Sequence, residues 1–523
     1  MIPFVLLALL FATIIYKALV EPLQYWKKLS IPYAPGWPIF GSMWKSMLGK
    51  RAMAHIHQDY YNKFYNHRYF GFYFFNSPSL FIRDAELAKQ IFTKNFESFS
   101  DHRVFLPESA DPFWNKVLFA RKGKDWNNFR KMVSPMFSQS KMKHMFSFIT
   151  ECLERLIKNF PEDRTTVVEM GDVINKFTTD FTINCIFGLE CDSYKNPEND
   201  FYQTSRKSFT LTTLKSLKFF GASLSPTLAT MFKITLFDEP SKYFFKNVID
   251  NTLRYREKHG IIRNDLLHLL KEAQRGRLKY ESEDRKADIE FSVPKEIIED
   301  CTGSSEISDD DIMVQILGFV LTNFDTVTTL ISNMVYELAI NPDIQNRLIN
   351  EIDETWEKYD GNITYEHLLN MKYLDMVTSE SLRHRSPTIF IDRVVTKPFI
   401  IEPILPHEKP LFLKPGNEII IPVYCYLHDP QYFPNPEQFD PERFNDDNKH
   451  KILPHTYLSF GIGPRSCMGS RLVLLQTKAV VVYILRKFKL IPQKETVIPF
   501  AMSKMRISQH SESGYWFGLQ PRW

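Results

Sequence analysis

Residues 460–469 read "FGIGPRSCMG", one cysteine among three glycines and a proline. A long apolar segment, "SRLVLLQTKAVVVYILRKF", follows directly. Gly461 and Gly463 let the backbone turn and approach something flat and bulky, and Pro464 stiffens that turn. Gly469 removes a side chain where the next helix is expected to begin. A cysteine just before a helix faces N–H groups and the positive end of the dipole, which favour its thiolate. A thiolate is a soft metal ligand, and neighbouring amides tune the metal it holds. Arg465 sets a cation two residues away, suited to a carboxylate on the same ligand. A small buried hydrophobe at Cys467 would account for neither the glycines nor the arginine.

The remaining cysteines, Cys152, Cys185, Cys191, Cys301 and Cys425, are far apart and form no CxxC pair, so neither a zinc ribbon nor a dithiol redox site is indicated. So few thiols in 523 residues favour a reducing compartment. The net charge of +4, with no basic stretch interleaved with aromatics, argues against a nucleic-acid partner. The 44 phenylalanines suit an apolar interior or pocket.

The chain opens on "MIPFVLLALLFATIIYKALV", about one bilayer crossing as a helix. No Lys or Arg precedes Lys17, while Lys17, Lys27, Lys28, Lys45 and Lys50 follow, so the downstream side is expected in the cytosol. A cleaved signal peptide would want a basic start and a small-residue cleavage site. Pro32, Pro35 and Pro38 then predict a stiff extended spacer. The expected organisation is an anchor at 1–20, a proline-rich hinge at 21–41 and one body at 42–523. The sequon at Asn362 is expected to stay without sugar, because the body faces the cytosol.

Within the body, 68–84 reads as a hairpin turning at Asn76-Ser77-Pro78. Short strand signals recur at "TKPFIIEPILP", "EIIIPVY" and "GYWFGL", and helical periodicity dominates elsewhere. The longest helix is predicted from Ser308, with Asp311 as its capping-box partner, to Asn341-Pro342. It is apolar nearly all round, so it should run through the centre. The polar, charged stretch 271–306 before it reads as a mobile surface connection. The fold class is mainly α (α+β): a large helical body with a long central helix and small β-sheets, plus an N-terminal transmembrane helix.

The pattern F-G-x-G-x-R-x-C-x-G closely resembles the haem-thiolate loop of cytochrome P-450. The resemblance implies that Cys467 is the axial ligand of a haem b iron, in a loop to which Phe460, Gly463, Arg465 and Gly469 also belong. It extends to other stretches. "ESLR" supplies Glu380 and Arg383, and "PERF" supplies Arg443, which in the family form a buried network behind the loop. "WNNFR" matches W-x-x-x-R, so Trp126 and Arg130 are expected at the haem propionates, with Arg393 of "FIDRVV" as another partner. The P-x-x-P-G hinge also fits. The resemblance runs over essentially the whole chain, and its texture is most similar to insect microsomal enzymes that metabolise foreign compounds.

Oxygen chemistry in that family needs protons, and the central helix offers Asp325 and Thr326 to relay them. Thr322 and Asn323 stand where small residues are usual; Asn323 either crowds the groove or hydrogen-bonds carbonyls freed there. The resemblance implies a substrate pocket lined by Val104, Phe105, Phe113, Val117, Leu118, Phe119, Phe319, Thr322, Ile389, Phe390, Ile391 and Tyr515, suited to lipophilic molecules. The apolar, lysine-dotted stretch 217–237 falls in the family's lid region and is a candidate for contact with the bilayer. No Rossmann fingerprint is present, so electrons from NADPH would arrive through a flavoprotein, NADPH–cytochrome P-450 reductase, with cytochrome b5 as an optional second partner. Arg121, Lys122, Lys124 and Lys131 offer positive charge for docking it. The expected location is the endoplasmic reticulum membrane. Two other functions fit less of the sequence: a haem-thiolate isomerase or dehydratase acting on peroxides without a reductase, and a non-catalytic haem or lipophile carrier.

Overall fold

A helix of 32 residues, Asp309–Ile340, threads the body. The Ser308 hydroxyl accepts from the Asp311 N–H at 3.1 Å, and the Asp311 carboxylate accepts from the Ser308 N–H at 2.8 Å. This reciprocal cap, with acids at 309–311, satisfies donors that the first turn leaves open. Asn341 ends the helix, and Pro342 opens the next one, Pro342–Lys358, where a missing N–H costs nothing. From Thr328 to Ala339 every residue is buried. The computed structural model describes residues 2–209, 226–281, 290–294 and 307–523.

Helices Met170–Phe187, Lys372–His384 and Ser470–Lys487 pack on the central helix, and Gln139–Ile157 packs behind the first and last of these. Three small sheets flank the bundle. In the largest, β1 (Tyr69–Phe74) pairs antiparallel with β2 (Ser77–Ile82). β4 (Ile391–Val394) and β7 (Glu418–Ile421) complete it in the order β1-β2-β7-β4, with Arg393 opposite Ile419. β3 (Thr166–Glu169), β9 (Trp516–Pro521) and β8 (Phe488–Pro492) form the second sheet, and β5 (Phe399–Ile401) with β6 (Leu411–Leu413) the third.

Three expectations need correction. The hairpin turns at Phe75-Asn76, one position early, while Ser77 and Pro78 already pair with Phe74 and Tyr73. The Asn76 side chain fixes that register: its oxygen accepts from the Ile39 N–H and its amide donates to the Ala18 carbonyl. The proline-rich segment is not a free spacer. Trp26 is buried and donates to the Phe72 carbonyl at 3.1 Å; the Pro32 carbonyl accepts from the Gly71 N–H at 2.7 Å. The open edge of β1 needs such partners, and this segment supplies them. Within 271–306, residues 290–294 are docked rather than mobile. Phe291 sits between Phe444 and Tyr457, and Ser292 hydrogen-bonds Ser379 and Tyr457 at 2.9 Å each. Residues 282–289 and 295–306 of that stretch lie outside the described residues.

The N-terminal helix Ile2–Ile15 stands apart. Phe4, Leu7 and Phe11 are each more than half exposed. The run Phe4–Lys28 is long and apolar enough to cross a membrane.

Candidate active site

The loop at 460–469 folds tightly before helix Ser470–Lys487. The Cys467 N–H donates to the Phe460 carbonyl at 2.8 Å, and the Ser466 N–H to the Gly463 carbonyl at 3.0 Å. Gly461 and Gly463 adopt φ of 71° and 77°, a left-handed backbone that side chains resist. At Gly463 there is a second reason: a Cβ would fall 2.2 Å from the Phe92 carbonyl oxygen. Gly469 is under no such constraint. Its φ is −86°, and a Cβ would meet Phe137 at an ordinary 3.8 Å.

Cys467 lines a cavity of about 560 Å³. Thr322, Asp325 and Thr326 of the central helix line the same cavity, together with Phe105, Phe119, Leu330, Ile389, Phe390 and Ile391. Here the helix widens into a π turn over Asn323–Val327. Asn323 does not line the cavity. Its amide donates to the Phe319 carbonyl at 3.0 Å, and its oxygen accepts from Gln476 at 3.0 Å. The Thr328 hydroxyl lies 3.3 Å from the Asn323 carbonyl and donates to Asn175 at 2.8 Å. Of the two roles open to Asn323, the geometry selects carbonyl capture over crowding.

The hydroxyls along this helix differ. Thr322 bonds back to the Gly318 carbonyl at 2.9 Å and Thr329 to the Asp325 carbonyl at 2.7 Å. Thr326 makes no hydrogen bond among the described residues. Asp325 approaches Arg506 at 3.4 Å, Oδ1 to Nη1. Burial pushes the Asp325 carboxyl upward, and Arg506 opposes that only in part. The carboxyl faces the cavity, where about a third of its surface is open (36%), while protein surrounds the rest.

A family model described as Cytochrome P450 matches residues 31–516. The chain belongs to the cytochrome P450 family. Among curated relatives it is 38% identical to "Cytochrome P450 9e2" of Blattella germanica, over 95% of this chain and 94% of that protein. It is 34% identical to "Probable cytochrome P450 9f2" of Drosophila melanogaster, over 95% of each. It is 31% identical to "Cytochrome P450 6j1" of Blattella germanica, over 93% of this chain and 91% of that protein. This P450 is therefore a haem-thiolate monooxygenase, of a family that generally accepts electrons from a redox partner and binds lipophilic substrates.

The residues present fit a haem. Arg393 and Arg465 line the Cys467 cavity, and His102 lies beside them. Arg465 donates to the carbonyls of Ser100 and Arg121 at 2.8 and 2.7 Å and stacks on Trp126 at 4.0 Å. Arg393 donates to the Asp392 carbonyl at 2.7 Å, but its buried Nε has no hydrogen-bond partner among the described residues. Burial lowers the pKa of both guanidinia, to about 10 for Arg393 and about 9 for Arg465, where Arg393 adds repulsion. They stay charged at neutral pH, with Asp101 and Asp392 as the nearby anions, and so leave positive charge for the ligand's carboxylates. Burial disfavours the Asp392 carboxylate, yet His102, the Arg103 N–H and Arg393 hold its pKa at about 2. His102 itself is pushed down by burial and by the flanking arginines, so it is neutral.

Trp126 and Arg130 do not line this cavity. They stand beside the loop: Arg130 donates to the Ser466 carbonyl at 2.9 Å, Trp126 stacks under Arg465, and both border a cleft with Gly463 and Pro464. The Glu380 helix is tied to the approach to the loop, the Ser459 hydroxyl donating to the Leu382 carbonyl at 2.9 Å. Arg383 makes a bidentate pair with Glu380 at 2.6 and 3.0 Å, both fully buried, and also donates to the carbonyls of Leu427, Pro436 and Gln438. Arg443 lies 3.5 Å from the same carboxylate, and the Asp440 N–H donates to it at 2.8 Å. With the buried Glu380 carboxylate bound by Arg383, the Asp440 N–H and the nearby Arg443, the network holds geometry.

Half of the expected pocket residues line the cavity: Phe105, Phe119, Thr322, Ile389, Phe390 and Ile391. The others do not. Tyr515 is buried, its hydroxyl donating to Asn333 at 2.7 Å, and the C-terminal turn presents Arg506, Ile507 and Ser508 instead. Phe113 packs edge-on against Phe237, and Phe319 against Phe137. Val104 is exposed, and Val117 and Leu118 pack in the core. Arg121 is likewise no docking cation: it is buried, bound to Asp125 and Asp311, and stacked on Phe129. His102 and Arg506 escaped the sequence reading because nothing near them in the chain marks their partners.

Proposed function

We propose that this P450 oxygenates lipophilic small molecules, foreign compounds such as insecticides or plant toxins or endogenous lipids, on the cytosolic face of the endoplasmic reticulum membrane. The supporting observation is that Cys467 and the Thr322, Asp325 and Thr326 face of the central helix open into one apolar-walled cavity. In the assigned roles, Cys467 holds the iron, and Arg393 and Arg465 receive the propionates, with His102 holding Asp392 beside them. Haem ligated by a thiolate supplies iron whose electron-rich sulfur helps cleave the O–O bond. Asp325, its carboxyl pushed upward by burial, holds a proton at the cavity wall, and Thr326, whose hydroxyl is not tied back to the helix, passes it inward. The aromatic walls bind substrate and exclude water. The turning of Asn323 away from the cavity favours oxygenation over the isomerase reading.

In this reading residues 1–20 anchor the chain, 21–41 link it to the body at 42–523, and NADPH–cytochrome P-450 reductase, assisted by cytochrome b5, is the donor. Lys124, Lys131 and Lys397 line the cleft that Gly463 and Pro464 border and give an acidic partner a place to dock. Within the described part of the lid region, Met231 and Phe232 are exposed, which supports contact with lipid; residues 217–225 lie outside the described residues. Reconstitution with the reductase in vesicles, followed by a screen of lipophilic compounds, tests the reading. Turnover should require NADPH and reductase. Product formed without either would establish the isomerase or dehydratase instead.

A further inference from the structure

One charge in the cavity is left over by these assignments. Arg506 lines the cavity beside Ile507 and Ser508. Among the described residues its one hydrogen-bond or ion-pair partner is Asp325, through a single Nη1 contact of 3.4 Å. Arg393 and Arg465 differ, since both are assigned to the propionates and Arg465 is further held by the carbonyls of Ser100 and Arg121. A third of the Arg506 side-chain surface is open (33%), and the nearby lining is mostly aromatic and aliphatic. A guanidinium in such surroundings is costly unless its donors are answered.

The fork of a guanidinium carries five N–H donors in one plane. The Asp325 contact engages one nitrogen, which leaves an edge free for a second planar oxyanion to accept two parallel bonds. Asp325 need not repel that second anion. Its burial favours the protonated carboxyl, so a proton can be taken up as the new charge arrives.

We propose that Arg506 is a specificity-determining residue that selects lipophilic molecules bearing a carboxylate, the guanidinium holding the acid end while the apolar walls hold the chain. This rests on the reading of the Cys467 cavity as the substrate site.

The test compares binding of dodecanoate and its methyl ester to the haem-loaded protein by equilibrium dialysis, in the wild type, Arg506→Met and Arg506→Lys. The two ligands share the apolar chain and differ in charge. The wild type should bind the acid about tenfold or more tighter than the ester. Arg506→Met should bring that ratio close to one through loss of acid affinity, and Arg506→Lys should keep part of it, because an ammonium retains the charge without the fork. An acid-to-ester ratio near one in the wild type, or an unchanged ratio in Arg506→Met, overturns the proposal while ester binding leaves the cavity reading intact. Absence of binding by both ligands overturns the cavity reading and the proposal together.

Discussion

The side of the cavity that carries Cys467 and the side that carries the central helix are held by different means. On the cysteine side, Glu380 and Arg383 are fully buried and paired with each other, the half-buried Arg443 lies 3.5 Å from the same carboxylate, and Gly463 is pressed against the Phe92 backbone. Little there can move without leaving a charge unpaired. Across the cavity, the helix is loosened into a π turn, the Thr326 hydroxyl makes no hydrogen bond among the described residues, and Asp325 and Arg506 touch at one long contact. The first side fixes a ligand atom; the second keeps protons and donors available. A buried, fully paired network suits geometry, and a partly answered one suits chemistry.

Substitutions can break that contrast. The largest effect is expected at Cys467→Ser, which should abolish the thiolate-type absorbance of the reduced carbon monoxide complex; full retention of that band would falsify the ligand assignment. Next is Glu380→Gln, which leaves Arg383 buried without its carboxylate. Breaking a buried pair in this way costs about 3–5 kcal/mol. Urea unfolding should show this loss, and haem should be retained poorly. No change in midpoint would mean the network bears no load.

Asp392, held by His102 and the Arg103 N–H at the cavity wall, gives a pH signature. Its folded pKa lies below that of an unfolded aspartate, so its stabilisation is complete above about pH 4 and is lost as the pH falls through about 2. The contribution is about 2 kcal/mol at neutral pH. Asp392→Asn should therefore be less stable than the wild type at pH 7, with the gap closing in acid. A gap that persists unchanged down to pH 2 would show that the carboxylate's charge is irrelevant. The smallest effect is the one that sharpens the comparison. Thr326→Ala should keep the carbon monoxide spectrum and the fold while product per NADPH drops, because a positioned proton donor is lost. Unchanged coupling would remove Thr326 from the relay.

Some of this was readable without coordinates. The cap of the central helix depends on Ser308 and Asp311, three residues apart, and it forms where expected. The aromatic hairpin was visible as two strands, but its turn was displaced by one position, because Asn76 answers to Ile39 and Ala18 rather than to its own neighbours. The docking of 290–294 was hidden in a charged stretch, since Phe291 and Ser292 find their partners only on distant helices.

The amino-acid order alone determined the cysteine loop, the helix that follows it and the Glu380–Arg383 pair. Each depends on backbone conformation and side-chain reach within a few residues, and such requirements are written locally. Only the tertiary structure decided that Asn323 turns toward Gln476, that His102 joins Asp392, and that Arg506 rather than Tyr515 enters the cavity. Those partners are separated by roughly 150 residues or more in the chain, and their meeting is set by how helices and sheets pack, which no local pattern encodes.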